Sequence, residues 1–243
     1  MIKENRVSKY ILYAMGEIVL VVIGILIALQ INNRNEQSRS DAFELQLLKS
    51  FEEGLKKDLD DIDYNIQYQK RGINSANTLI ELLSSSEQVT NDSLVANLFG
   101  DAMTATGFQY STSAFETLKS RGITSIKNDS LREKIIGVYD AQFNFFLDYE
   151  KEYRQEVNRG LTTIFSTRFE DSYNFNINLT DFPGYIKPLN FEALKNDQEF
   201  LYYFKSLRNR SLVLVDFQYE LLRSKLVDLI NNLSSEIERI EKS

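Results

Sequence analysis

The chain has 243 residues, a net charge of -7, and neither cysteine nor histidine. With 43% hydrophobic and 26% charged residues it carries enough apolar mass to fold. An acidic chain without a basic stripe has no electrostatic reason to hold nucleic acid. The missing residue types exclude disulfides, thiol nucleophiles, lipidated cysteines, imidazole bases and the usual zinc sites. Only 10 Gly and 2 Pro occur, which argues for long helices over an all-β fold rich in turns.

The first element is apolar. Ile11 to Ile31 contains thirteen Ile, Leu or Val residues. At the known insertion free energies these contribute roughly -4 to -8 kcal/mol, against about 3 kcal/mol for Glu17. The segment is about the length a bilayer core requires. We therefore expect a transmembrane helix over residues 10–32, with 1–9 as a short cytoplasmic tail and 33–243 as an extracytoplasmic domain. The basic residues Lys3, Arg6 and Lys9 favour the cytoplasmic N-terminus, so the expected place is the cell inner membrane. A cleaved signal peptide is the competing reading, but Ala28-Leu29-Gln30-Ile31-Asn32 lacks a small-x-small cleavage site.

Ala14, Glu17, Val21, Gly24 and Ala28, followed by Ile31, recur at three- and four-residue steps. They form one stripe on the anchor, and its small residues let two helices approach closely. This predicts a homo-oligomer built through the membrane helix, with Glu17 bonding across it. The alternatives for Glu17 are a proton relay or a carboxylate that snorkels to the headgroups.

A long helix is expected from Ser40 to about Ser84, with Leu48, Leu55, Ile62, Ala76 and Leu83 on one heptad position. Gln69 is the polar exception, and Leu59, Ile66, Ile73 and Ile80 complete the seam. The polar stretch Asn32 to Ser40 is the expected place for a bend between anchor and domain. A short helix over Ser93–Met103, capped by Asn91 or Asp92, follows. Ser113-Ala114-Phe115-Glu116 reads as a capping box for a helix that stops before Gly122. The next helix starts at Asn128-Asp129-Ser130 and runs to about Phe169. Its expected stripe is Ile135, Val138, Gln142, Phe146, Tyr149, Tyr153, Val157, Leu161 and Ile164. Asp171 to Pro188 is a loop with a Pro183-Gly184 turn, pinned by Tyr173, Phe175, Phe182 and Tyr185. A short helix over Phe191–Asn196 and a last long one over Gln198–Glu241 complete the chain. The fold class is all-α: one N-terminal transmembrane helix followed by an antiparallel helical bundle with long helices.

The run Gly16-Glu17-Ile18-Val19-Leu20-Val21-Val22-Ile23-Gly24-Ile25-Leu26-Ile27-Ala28-Leu29-Gln30-Ile31-Asn32-Asn33 resembles the N-terminal signature of a bacterial family of uncharacterised single-pass membrane proteins. Phe115-Glu116-Thr117-Leu118-Lys119-Ser120-Arg121-Gly122-Ile123, with Leu131 and Tyr139, is similar to that family as well. Its members often carry Trp where Arg34 follows the Asn pair here. The resemblance implies a membrane protein with a helical domain and brings no activity, ligand or catalytic residue.

Little chemistry stands out. Asp58, Asp60, Asp61 and Asp63 lack the glycine and closing glutamate of a calcium loop and read as a solvated helix face. Asp148, Glu150 and Glu152 read as surface acids. Phe143, Phe145, Phe146, Tyr149 and Tyr153 read as core packing rather than a ligand pocket. Lys119 and Arg121 suit a helix C-terminus better than an anion site. Phosphate loops, nucleophile elbows and dinucleotide fingerprints are missing from the sequence. We therefore expect a non-enzymatic scaffold or interaction protein without a cofactor. Its expected partners are membrane lipid, a second copy and a protein still unknown. An extracytoplasmic ligand-sensing bundle working through a partner, or an ion-coupled accessory subunit using Glu17, are the alternatives.

Overall fold

The computed structural model describes residues 4–171 and 184–242. The first helix, α1, runs Glu4–Ser84 without interruption. The helix is not interrupted in the polar stretch Asn32 to Ser40. Side chains bridge successive turns there: Asn32 Nδ2 donates to Glu36 at 3.0 Å and Gln37 Nε2 to Asp41 at 2.9 Å. Such i,i+4 bonds support an otherwise unpacked helix. One apolar stretch of α1 is long enough to cross a membrane, and none of it is buried within the protein.

From Asp41 onward α1 becomes the first leg of a four-legged, all-α bundle. Leu48, Phe51, Leu55 and Ile62 are fully buried along it, and Gln69, the polar exception, is buried with them. The second leg returns beside α1 as α2 (Asp92–Ala102), the non-helical segment 103–112, and α3 (Ser113–Arg121). The third comprises α4 (Asp129–Ile136), a π turn over Gly137–Gln142, and α5 (Phe143–Thr163). A short α6 (Phe191–Leu194) leads into the fourth. That leg is α7 (Gln198–Val213), a second π turn over Leu214–Tyr219, and α8 (Glu220–Glu241).

Side-chain contacts give the directions. Lys49 meets Glu241, Asp63 meets Arg223 and Lys70 meets Glu220, so legs one and four are antiparallel. Lys134 reaches Asn232, while Tyr203 reaches the Glu156 carbonyl, so legs three and four are antiparallel too. Ser111 lies against Asp58 and Lys127 against Glu44, so leg two runs back along leg one.

The helix ends follow local chemistry. Asn91 caps α2, Asn128 caps α4 and Asp197 caps α7, each accepting from a backbone N–H three residues on. The expected capping box at Ser113 does not form: α3 begins at Ser113, and Thr112 precedes it without a side-chain bond. Gly122 ends α3 at φ 101°, a region open to glycine. In the later loop Ile186, not Tyr185, is the buried anchor; its N–H donates to the Ala96 carbonyl at 3.0 Å. Tyr173, Phe175, Phe182 and Pro183 lie outside the described residues.

Close packing of the first two legs depends on Gly72. A Cβ there would meet the Asp101 carbonyl oxygen at 2.8 Å. Gly72→Ala should destabilise the bundle by about 1–3 kcal/mol, because strain from the rigid backbone outweighs the roughly 1 kcal/mol gain in helix propensity. Urea denaturation of the variant beside the parent checks this, and unchanged or greater stability would refute the close approach.

Candidate functional site

The second leg breaks where helix propensity fails. Thr104, Thr106, Gly107, Ser111 and Thr112 fall within nine residues, and β-branched residues and glycine lose helical stability. Thr106 lies against Gln69 and Ser111 against Asp58, so five steps of this segment match the rise of eleven residues of α1, as an extended backbone does; Phe108 is buried, Gln109 exposed and Tyr110 half-buried. Phe108 meets Phe143 and Phe146, both with centroids at 5.6 Å, while Tyr110 stacks on Phe143 at 4.2 Å.

An extended backbone inside a helical bundle has no ladder for its N–H groups, and leaving them bare is costly. Three carboxylates from neighbouring legs accept them. Asp58 takes the Ser111 N–H at 2.8 Å and Asp61 takes the Gln109 N–H at 3.1 Å. Glu150 takes the Phe108 N–H on both oxygens, at 3.0 and 3.1 Å. The Tyr219 hydroxyl of leg four donates to Glu150 Oε1 at 2.5 Å. Gln69 completes this level, donating to Thr106 Oγ1 at 3.3 Å and accepting from Ser211 Oγ at 3.4 Å. All four legs thus converge on the break. Gly107 leaves room beside it for Arg154, whose guanidinium lies 2.8 Å from where a Cβ would be.

This cluster corrects two expectations. Glu150 is 1% exposed, not a surface acid, and Asp58 is 2% exposed, not part of a solvated face. Both were legible: Asp58 falls between Leu55 and Ile62, and Glu150 between Phe146 and Tyr153, at three- and four-residue steps. The expected stripe members Gln142 and Tyr149 are only half-buried; the π turn adds a residue and brings Phe143 inward instead. Asp63 pairs with Arg223 at 2.7 Å. Phe143, Phe146 and Tyr153 are core, while Phe145 is 60% exposed. Lys119 pairs with Glu116 and Arg121 lies over the Phe43 ring. Ala14, Glu17, Val21, Gly24 and Ala28 all lie on the exposed apolar stretch of α1.

Burial pushes the Glu150 carboxyl above its usual range, opposed by the Tyr219 and Phe108 hydrogen bonds and by Arg154. Asp58 is raised for the same reason. Burial and the adjacent Glu150 raise the Tyr219 phenol, and the Tyr153 phenol is pushed up to about 12. Among the described residues, the buried oxygens Asp58 Oδ2 and Tyr139 Oη have no hydrogen-bond partner. The arrangement holds protons and backbone in place. Among the described residues no group of three or more carboxylates is disposed to hold a metal.

A carboxyl raised by folding binds its proton more tightly in the native state, so its contribution makes stability rise as pH falls from neutral towards its unfolded value. Carboxylates held low, such as Asp197 by Arg168 and Glu236 by Arg239, act only once pH falls below their ordinary range. Stability should therefore increase from about pH 7 to about pH 5, and Glu150→Gln should flatten that rise. Glu150→Ala should cost about 3 kcal/mol, since it strands the Phe108 N–H and the Tyr219 hydroxyl. Chemical denaturation across this pH range tests both, and a parent that loses stability towards pH 5 would contradict the assignment.

Neither a curated protein nor a solved structure matches the chain. A family model, described as a family of unknown function (DUF6090), matches residues 17–182. The match opens at Glu17 in the apolar stretch and takes in Asp58, the broken second leg and Glu150; Tyr219 falls outside it. Covering more than half of the sequence, it shows that the chain belongs to the DUF6090 family.

Proposed function

We propose that this protein is a membrane-anchored, non-enzymatic scaffold, held in the cell inner membrane by residues 10–32 with its bundle outside the cytoplasm. The observation that carries the reading is the unburied apolar stretch of α1, which continues as the first leg of the bundle. At 1.5 Å per residue, Ile11 to Ile31 extends about 30 Å, the thickness of a bilayer core. The same helix carries any movement or pairing of the anchor into the domain.

Self-association through Ala14, Glu17, Val21, Gly24 and Ala28 fits this arrangement. Gly24, on that stripe, has no atom within 4 Å of where a Cβ would stand, so a second helix can approach there. Ala28 and Leu55 are about seven and a half turns apart at 3.6 residues per turn, which places them on opposite sides of α1. Two copies joined by the anchor stripe would turn their bundles outward, free to present legs two to four to a partner protein.

Three outcomes follow. With no native cysteine to compete, a single cysteine at Lys242 should react with a membrane-impermeant maleimide from outside intact spheroplasts, while one at Lys3 should not; the reverse pattern would invert the topology. Gly24→Ile should weaken self-association in detergent by about tenfold, the equivalent of roughly 1.4 kcal/mol. Glu17→Gln should leave assembly and function intact in a scaffold, whereas loss of function with assembly preserved would favour the ion-coupled reading.

A further inference from the structure

The end of the bundle nearest the anchor is built around the corner between α3 and α4. Lys127 ties this corner to α1: its N–H donates to Glu44 at 2.7 Å, and its ammonium pairs with Asp41 and Glu44. The corner therefore lies between the levels of Asp41 and Glu44. Nine to twelve steps of continuous helix separate these residues from Asn32, about 14–18 Å at 1.5 Å per residue, and seven separate Arg39 from it, about 10 Å. A headgroup layer occupies about 5–7 Å beyond the hydrocarbon edge, and helices tilt by about 20° on average. The remaining gap is within the reach of an arginine side chain.

The corner presents groups suited to that gap. Gly122 turns the chain sharply, and the one-turn helix Ile123–Ser125 follows. Ile126 is fully buried, but Ile123 is 46% exposed. The Arg121 guanidinium lies 5.5 Å from the Phe43 ring centroid. Arg39 stands one turn before Phe43 on the same side of α1. Among the described residues neither Arg39 nor Arg121 forms an ion pair, whereas the nearby acids are engaged: Asp41 and Glu44 with Lys127, Glu116 with Lys119, and Asp129 with Arg132. Glu36 accepts from Asn32. Guanidinium groups bind phosphate oxygens in a bidentate manner.

We infer that this corner is a second membrane contact, in which Arg39 and Arg121 hold the phosphates of anionic lipid headgroups and Ile123 rests at the interface. The inference rests on reading residues 10–32 as membrane-spanning. The contact sets the bundle upright on the leaflet that the anchor leaves, and the anionic lipid content of that leaflet controls how firmly it is held.

The chain contains no tryptophan, so single reporters are free of background. Full-length protein carrying Thr124→Trp, Ser86→Trp at the far end, or Ile25→Trp in the anchor is reconstituted into phosphatidylcholine vesicles with and without phosphatidylglycerol. Headgroup-labelled and acyl-labelled spin-label lipids serve as quenchers. The expected result is headgroup quenching at position 124 that strengthens with phosphatidylglycerol, falls to the level at position 86 in Arg39→Ala/Arg121→Ala, and accompanies acyl quenching at position 25. Circular dichroism confirms that each variant is folded. Acyl quenching at position 25 with position 124 no more quenched than 86 overturns the contact and leaves the anchor standing. Absence of quenching at position 25 overturns the anchor and the contact together. Quenching at 124 that is indifferent to the arginines and to phosphatidylglycerol overturns the phosphate-binding assignment.

Discussion

A leg of a helical bundle that stops being helical leaves its backbone amides without intrahelical acceptors, and the rest of this molecule is arranged around that difficulty. The segment after α2 cannot remain helical, and the N–H groups of Phe108, Gln109 and Ser111 find acceptors on Glu150, Asp61 and Asp58. Each acceptor is a carboxylate, the strongest such group a side chain offers to a backbone N–H. Burial of Glu150 and Asp58 opposes their ionisation, so the same contacts that close the break make it sensitive to pH. Tyr219 supplies a further donor from the fourth leg and ties the opposite side of the bundle to the break.

The two π turns belong to this arrangement. Each shifts the apolar stripe of its leg by a residue, the first bringing Phe143 against Phe108 and Tyr110, the second carrying Tyr219 into the core beside Phe146. Tyr219 is both fully buried and hydrogen-bonded, which satisfies an aromatic residue with a polar tip. Aromatic rings fill the space that an extended strand, thinner than a helix, leaves between the other legs.

Continuity of α1 connects this interior to the apolar stretch. The helix passes through the polar residues Asn32 to Ser40 without packing against anything, supported by its own i,i+4 bonds, and enters the bundle already in register. Asp58 and Asp61, two of the three carboxylates at the break, stand on that same helix. In the proposed scaffold, the anchor and the break are therefore two stations on one rod, and the lipid contact at Arg39 and Arg121 lies between them.

The sequence by itself determined the helical class, the apolar N-terminal segment, most of the element boundaries and the apolar members of the core, because these depend on periodicity, propensity and capping within a few residues. Asn91, Asn128 and Gly122 act where local chemistry places them. The spacing that identified Leu55 and Ile62 also pointed to Asp58, and that of Phe146 and Tyr153 to Glu150, but a charged side chain on an apolar stripe reads as an error until its partner is known. Only the tertiary structure decided that these acids are buried, because their acceptor role depends on amides 42 to 53 residues distant in the chain. The π turns and the pairing of legs likewise depend on packing between distant segments, where small differences in burial outweigh local preference.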